Sequence, residues 1–258
     1  MSNPPPVVLS LSGHDPTGGA GIQADIETLV RLGCYPCTVI TALTAQDTRD
    51  VRRVFPQPAA DFLEQARLVF DDLPVAAVKI GLLGSVEIVR AVELALDLAG
   101  AVPVVLDPIL AAGGGASLAD SALVAEVRTR LIPRATVLTP NTPEARKLTG
   151  EGDCDARARE LLALGCPHVL LTGAHEDCPD VVNRWYSAAG VKSYRWPRLP
   201  ASYHGSGCTL ASAVAACLAR GMGMEAAVRE AQGFTWGALN NGFRLGKGQF
   251  LPNRAGLG

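Results

Sequence analysis

Short apolar, often β-branched runs alternate with helix-length segments along most of the chain, and this alternation restricts the fold more than any other feature. Runs at residues 7–12, 37–43, 75–80, 102–106, 135–138 and 168–172 read as buried strands. Between them, residues 22–32, 59–70, 86–98, 118–131 and 155–164 read as helices. The first of these helices places Ile22, Ile26, Leu29 and Val30 on one face. Such alternation predicts a mostly parallel sheet covered by helices on both faces. Residues 181–187 and 191–196 form the exception, a hairpin turning near Ala189-Gly190. An alanine-rich run at 210–219 and a last helix at 224–239 follow. No internal repeat, low-complexity segment or convincing linker interrupts the 258 residues, so a single domain is expected.

Composition narrows the functional classes. With 48% hydrophobic and 19% charged residues the chain is globular, and a net charge of −2 offers no nucleic-acid or membrane-binding surface. No apolar run approaches the roughly 18 residues of a membrane span. The first six residues carry neither a basic n-region nor an apolar h-region, so a cytoplasmic protein is expected, its seven cysteines held as thiols. Cys34-Tyr35-Pro36-Cys37 has a redox-type spacing. It follows Gly33 and leads into a β-branched run, however, and reads as a helix-to-strand turn.

Parallel sheets bind ligands beyond the carboxyl ends of their strands, and the residues with usable chemistry gather there. The first strand runs into Gly13-His14-Asp15-Pro16-Thr17-Gly18-Gly19-Ala20-Gly21. That glycine spacing matches neither the dinucleotide fingerprint nor a Walker loop, which excludes a nicotinamide cofactor. Asp25 follows in the first turn of the next helix and is open to two readings, a charge complementing the helix dipole or a substrate contact. Gln46, past the second strand, offers both a donor and an acceptor, which suits an aminopyrimidine edge and equally a solvated loop. Asp107-Pro108 ends a buried strand, where an acid is costly unless it faces a cation, and a place beside metal or phosphate is favoured. Asn141 and Glu144, in Thr139-Pro140-Asn141-Thr142-Pro143-Glu144, suit a helix capping box and also oxygen ligation of Mg²⁺; on these residues alone the cap is the stronger reading.

The turn His204-Gly205-Ser206-Gly207-Cys208-Thr209-Leu210 opens the alanine-rich helix. Glycines on both sides of a serine let a ligand approach bare amides, and the unpaired amides and the positive dipole end make an anion site, typically for phosphate. Cys208 falls in the first turn, where the same field favours thiolate over thiol. The alternative is a helix capped by Ser206 with a small buried cysteine.

Taken in order, these segments resemble the hydroxymethylpyrimidine/phosphomethylpyrimidine kinases of thiamine biosynthesis, in the ribokinase-like superfamily. The resemblance covers nearly the whole chain. It is carried by residues 13–25 and 39–48, by Lys79-Ile80-Gly81 and Asp107-Pro108, and by residues 139–145 and 204–210. It implies a three-layer α/β sandwich, ATP and Mg²⁺ as cofactors, a pyrimidine substrate and a homodimer. It places Gly13, Gly19, Asp25 and Gln46 at the pyrimidine and makes Gly205, Ser206 and Gly207 the anion hole. Cys208 becomes the catalytic residue, either as base for the substrate CH₂OH or as a group that only positions it. Asn141, Glu144, Thr172 and Gly173 fall at the nucleotide, and Asp107 and Glu144 at the metal. Two lysines usual in the family are missing, at Gly113 and at Thr172, and Leu82 stands where methionine is common; these departures bear on the nucleotide contacts and on the second phosphorylation. Competing readings are a pyridoxal kinase, a thiol hydrolase pairing Cys208 with His204, and a non-catalytic vitamin-binding protein.

Overall fold

A computed structural model describes residues 4–111, 118–176 and 178–257. The glycine-rich loop expected at Gly113-Gly114-Gly115 lies outside them. One sheet contains β1 (Val7–His14), β2 (Tyr35–Gln46), β3 (Val51–Pro56), β4 (Val75–Ile80), β5 (Val104–Leu106), β6 (Val137–Leu138), β7 (His168–Leu171), β8 (Asp180–Ser187) and β9 (Gly190–Pro197). The strand order is β3-β2-β1-β4-β5-β6-β7-β8-β9. Neighbours from β2 to β7 run parallel, while β3 at one edge and the β8–β9 hairpin at the other are antiparallel. The helices are α1 (Gly21–Arg31), α2 (Ala59–Asp72), α3 (Val86–Leu98), α4 (Ser121–Glu126), α5 (Thr142–Thr149), α6 (Cys154–Ala163), α7 (Ser206–Ala219) and α8 (Met224–Asn240).

Alternate strand residues supply two cores, which is why the strands read as continuous apolar runs. Leu9, Leu11, Val78, Ile80, Leu106 and Leu171 pack with Phe62 of α2, Ile88 and Val92 of α3, Leu148 of α5 and Leu161 of α6. Val8, Ala77, Val105, Val137 and Leu170 face the other way, onto Leu29 of α1, the alanines of α7 and Val228 of α8. Helix α7 is buried at every residue from Cys208 to Cys217, wedged between the sheet, α1 and α8. Its alanines let the neighbouring backbones come close.

Three local expectations are corrected. Helix α1 starts at Gly21 and buries Ile22 and Leu29 of the expected face together with Gly21, Ala24, Asp25 and Thr28, leaving Val30 exposed. The buried stripe is rotated because α1 packs against α7 as well as the sheet, and Asp25 lies in its second turn. Strand β2 continues to Gln46 because it pairs antiparallel with β3, a strand that the sequence pattern did not reveal. That pair projects past the core, so Leu43 and Phe55 stay exposed and no apolar run marks it. The helix expected at 118–131 begins only at Ser121, capped by the Asp120 carboxylate, and passes through a wide turn at Val127–Leu131.

Candidate functional site

The carboxyl ends of the parallel strands and the start of α7 surround a cavity of about 850 Å³, lined by Gly13, Gln46, Leu82, Asp107, Thr139, Asn141, Glu144, Thr172 and residues 204–208. That size suits a nucleotide together with a small heterocycle. By strand order, Gly13, Gln46 and Leu82 belong to the β1, β2 and β4 side. Asn141, Thr172 and Trp196 belong to the β6–β9 side, where Trp196 stacks on Trp236 at 6.2 Å. Helix α7 packs over β1, β4 and β5, so its first turn stands between the two halves.

That turn is built by Gly205. It is the N-cap residue with φ of +78°, and a Cβ there would collide with the Gly19 carbonyl oxygen. Ser206 is therefore the first helical residue and not the cap. The first intrahelical bond is Thr209 N–H to the Gly205 carbonyl, at 3.0 Å. The amides of Ser206, Gly207 and Cys208 precede it and have no intrahelical acceptor, which leaves them for an anion. Cys208 departs from expectation. Burial pushes its thiol up to about 12, with Asp107 and Asp25 adding to the rise and Lys79 opposing it. It is a thiol at neutral pH, because desolvation outweighs the helix field. His204 Nε2 lies 2.8 Å from Asp15 Oδ2, and no hydrogen bond joins His204 to Cys208; with the thiol kept protonated by burial, the thiol-hydrolase reading lacks a nucleophile.

Asp25 is a correction as well. Its carboxylate is fully buried, off the cavity wall, and takes hydrogen bonds from Lys79 Nζ at 2.9 Å, Ser10 Oγ at 2.6 Å and Ser212 Oγ at 2.7 Å. Fully buried and away from the cavity lining, it is out of a substrate's reach. Lys79 is also fully buried; burial alone would lower its pKa, but the Asp25 carboxylate beside it holds the ammonium charged. The network ties β1, β4, α1 and α7 together immediately behind the anion turn.

Asp15, which sequence reasoning passed over, organises the glycine loop. Its carboxylate accepts from the amides of Thr17 (2.8 Å) and Ala20 (2.9 Å), from the Thr17 hydroxyl and from His204. Burial pushes its pKa up, but these hydrogen bonds outweigh it and hold the carboxyl well below the usual range. Gly19 lies behind the wall and not on it, against the His204 ring and Leu251.

On the other side, Asn141 and Glu144 form the expected capping box. Glu144 Oε2 accepts from the Asn141 amide at 3.0 Å and Oε1 from the Leu110 amide at 3.4 Å. Asp107 Oδ2 is buried without a hydrogen-bond partner. Burial raises the pKa of both acids, and for Glu144 the nearby Asp107 adds to the rise. Two such carboxylates suit a divalent cation, which Asp107 and Glu144 would hold. No cluster of three His, Cys, Asp or Glu ligands exists among the described residues. Gly173 is corrected: its amide goes to Asn183 Oδ1 at 3.1 Å, and it is absent from the wall that Thr172 lines.

Residues 15–253 match the family model described as phosphomethylpyrimidine kinase. The hydroxymethylpyrimidine/phosphomethylpyrimidine kinase of Streptomyces coelicolor is 43% identical over 95% of this chain and 92% of its own, and that of Escherichia coli 38% over 90% of each. A thiamine biosynthesis bifunctional protein of Geobacter sulfurreducens is 41% identical over 93% of this chain, which spans half of that relative's length. Among solved structures, a Bacillus subtilis pyridoxal kinase in complex with ADP superposes with a TM-score of 0.90 at 29% identity, covering 97% of each chain. A Clostridium difficile phosphomethylpyrimidine kinase gives 0.80 at 33%, covering 91% and 99%. The α/β fold is thus that of the pyridoxal kinase and ribokinase-like proteins, and the chain belongs to the phosphomethylpyrimidine kinase family.

Replacing Lys79 by Met leaves Asp25 charged and uncompensated in the interior, so it should cost about 3–5 kcal/mol, read from the urea midpoint. An unchanged midpoint would contradict the assignment of Asp25 as a buried ion-pair partner. Glu144 and Asp107 keep protons in the folded state that the unfolded chain releases above about pH 4, so their contribution to stability falls as pH rises from there. Glu144→Gln removes one of these acids. Relative to wild type without divalent cations it should gain stability on going from pH 5 to pH 8, and the reverse trend in denaturant midpoints would refute the raised pKa.

Proposed function

We propose that the chain phosphorylates the hydroxymethyl group of 4-amino-5-hydroxymethyl-2-methylpyrimidine with ATP, with the resulting monophosphate as a second acceptor, in thiamine biosynthesis. The observation that carries this reading is the placement of the free amides of Ser206, Gly207 and Cys208 on the same cavity as Gln46 and Asp107. The identity to named pyrimidine kinases supports it, and the ADP complex of the pyridoxal kinase relative supports nucleotide use by the fold. A cytoplasmic homodimer goes with the reading. Among the described residues no helix is long and apolar enough to cross a membrane.

Phosphoryl transfer depends on positioning and on stabilising charge. The amides of the α7 turn would hold the charge that develops on the transferred group. Gln46 lines the cavity, and its side-chain amide offers a carbonyl to accept from the pyrimidine amine and an NH₂ to donate to a ring nitrogen. Asp107 and Glu144 would hold Mg²⁺, which supplies charge neutralisation at the phosphates. Asn141 and Thr172 form the wall on the nucleotide side. Cys208, protonated, orients the acceptor hydroxyl rather than removing its proton. Pyridoxal is the competing acceptor, favoured by the higher TM-scores of pyridoxal kinases.

The decisive assay follows ADP release with hydroxymethylpyrimidine, its monophosphate and pyridoxal, each run separately; a strong preference for pyridoxal would overturn the choice of substrate. Gln46→Leu should weaken pyrimidine binding and spare basal ATPase, and an unchanged Kd would remove Gln46 from the site. Cys208→Ala should lower kcat by about 10²-fold and Cys208→Ser far less, because a hydroxyl can still orient the acceptor. With the thiol pushed up to about 12, wild-type kcat should stay level from pH 7 to pH 9; a tenfold rise per pH unit would make Cys208 the base instead.

A further inference from the structure

Arg254 lies one residue beyond the span that matches the family model. Its side chain is 1% exposed. The guanidinium reaches three elements of the site at once. Nη2 donates to the carbonyl of Gly19 in the glycine loop, Nε to Thr209 Oγ1 in the first turn of α7 at 2.8 Å, and Nη1 to Glu27 Oε2 on α1 at 3.1 Å. Thr209 Oγ1 in turn donates to the carbonyl of Gly205 at 2.8 Å. A Cβ on Gly205 would lie 2.8 Å from Arg254 Nη2, so the cation sits directly behind the backbone of the anion turn.

The segment carrying Arg254 is itself held on the site. The His204 amide donates to Phe250 O at 2.9 Å, Phe250 N–H to Ser202 O at 2.9 Å, and Gln249 N–H to Thr48 O at 2.8 Å. Leu251 packs against Gly19, and Asn253 N–H reaches Ala238 O at the end of α8. The strap from residue 248 to 254 thus touches the β2–β3 turn, the approach to the anion turn and the glycine loop. A buried planar fork bonded through all three of its nitrogens fixes geometry in a way a flexible ammonium cannot.

We propose that Arg254 is a positioning residue for phosphoryl transfer, clamping the glycine loop to the α7 turn so that the acceptor and the phosphate amides keep one spacing. The inference rests on the kinase reading for its kinetic arm only. Misplacement of reacting groups by about 1 Å costs on the order of 10²-fold in rate. Arg254→Met should therefore lower kcat per folded enzyme about 10- to 100-fold while each KM moves less than about 3-fold. Arg254→Lys should recover only part of the loss. Hydrogen exchange should quicken at residues 19–21 and 205–209 in Arg254→Met, with protection in β1 and β4 kept. Thr209→Val, which cuts the link between Arg254 and α7 without removing the cation, should show the same two effects in milder form, and serves if Arg254→Met does not fold. A kcat per folded enzyme within twofold of wild type, or unchanged exchange at residues 205–209, would overturn the clamp. If wild type transfers no phosphate to either heterocycle, the kinase reading fails, and the exchange measurement still judges the clamp.

Discussion

A single ammonium group buried behind the anion turn sets the arrangement of this molecule. Lys79 comes from β4, and its charge is tolerable in the interior only because Asp25 of α1 meets it at 2.9 Å. Asp25 in turn needs Ser10 of β1 and Ser212 of α7 to complete its hydrogen bonds. Four elements are thereby held in one register. Since α7 carries the anion turn and β1 the glycine loop, the same network sets where a phosphate and its acceptor would meet.

A second layer of constraints lies above it and is made of backbone. The Gly205 and Gly19 loops approach so closely that no side chain fits at Gly205. Asp15 reaches from one loop to His204 on the other, and Arg254 closes the gap from behind. Rigid placement of this kind is what a reaction without covalent participation by the protein requires.

Much of this was legible in the sequence, and the failures share a physical origin. The strands of the parallel sheet are buried on two faces and announce themselves as apolar runs; β3 pairs with one neighbour beyond the core and carries no such signal. Gly13, Gln46, Asp107, Asn141 and Cys208 line one cavity, and each follows a strand or opens a helix, positions that periodicity locates. Asp25 was misassigned because Lys79, its partner, is 54 residues away, and linear spacing carries no trace of that pair. Arg254 was missed for the same reason, reading as one more charge in a loop. Gly19 and Gly173 were drawn in by their neighbours, since adjacency to a site residue does not say which way an amide points.

Burial of the Cys208 sulfur also changes what the enzyme withstands. Oxidants and alkylating agents attack thiolates, and a protonated sulfur with little exposed surface reacts slowly with either. Cys178 is exposed and would meet such reagents first. A residue at the centre of the site thereby gains a chemical durability that a more nucleophilic cysteine in the same place would lack.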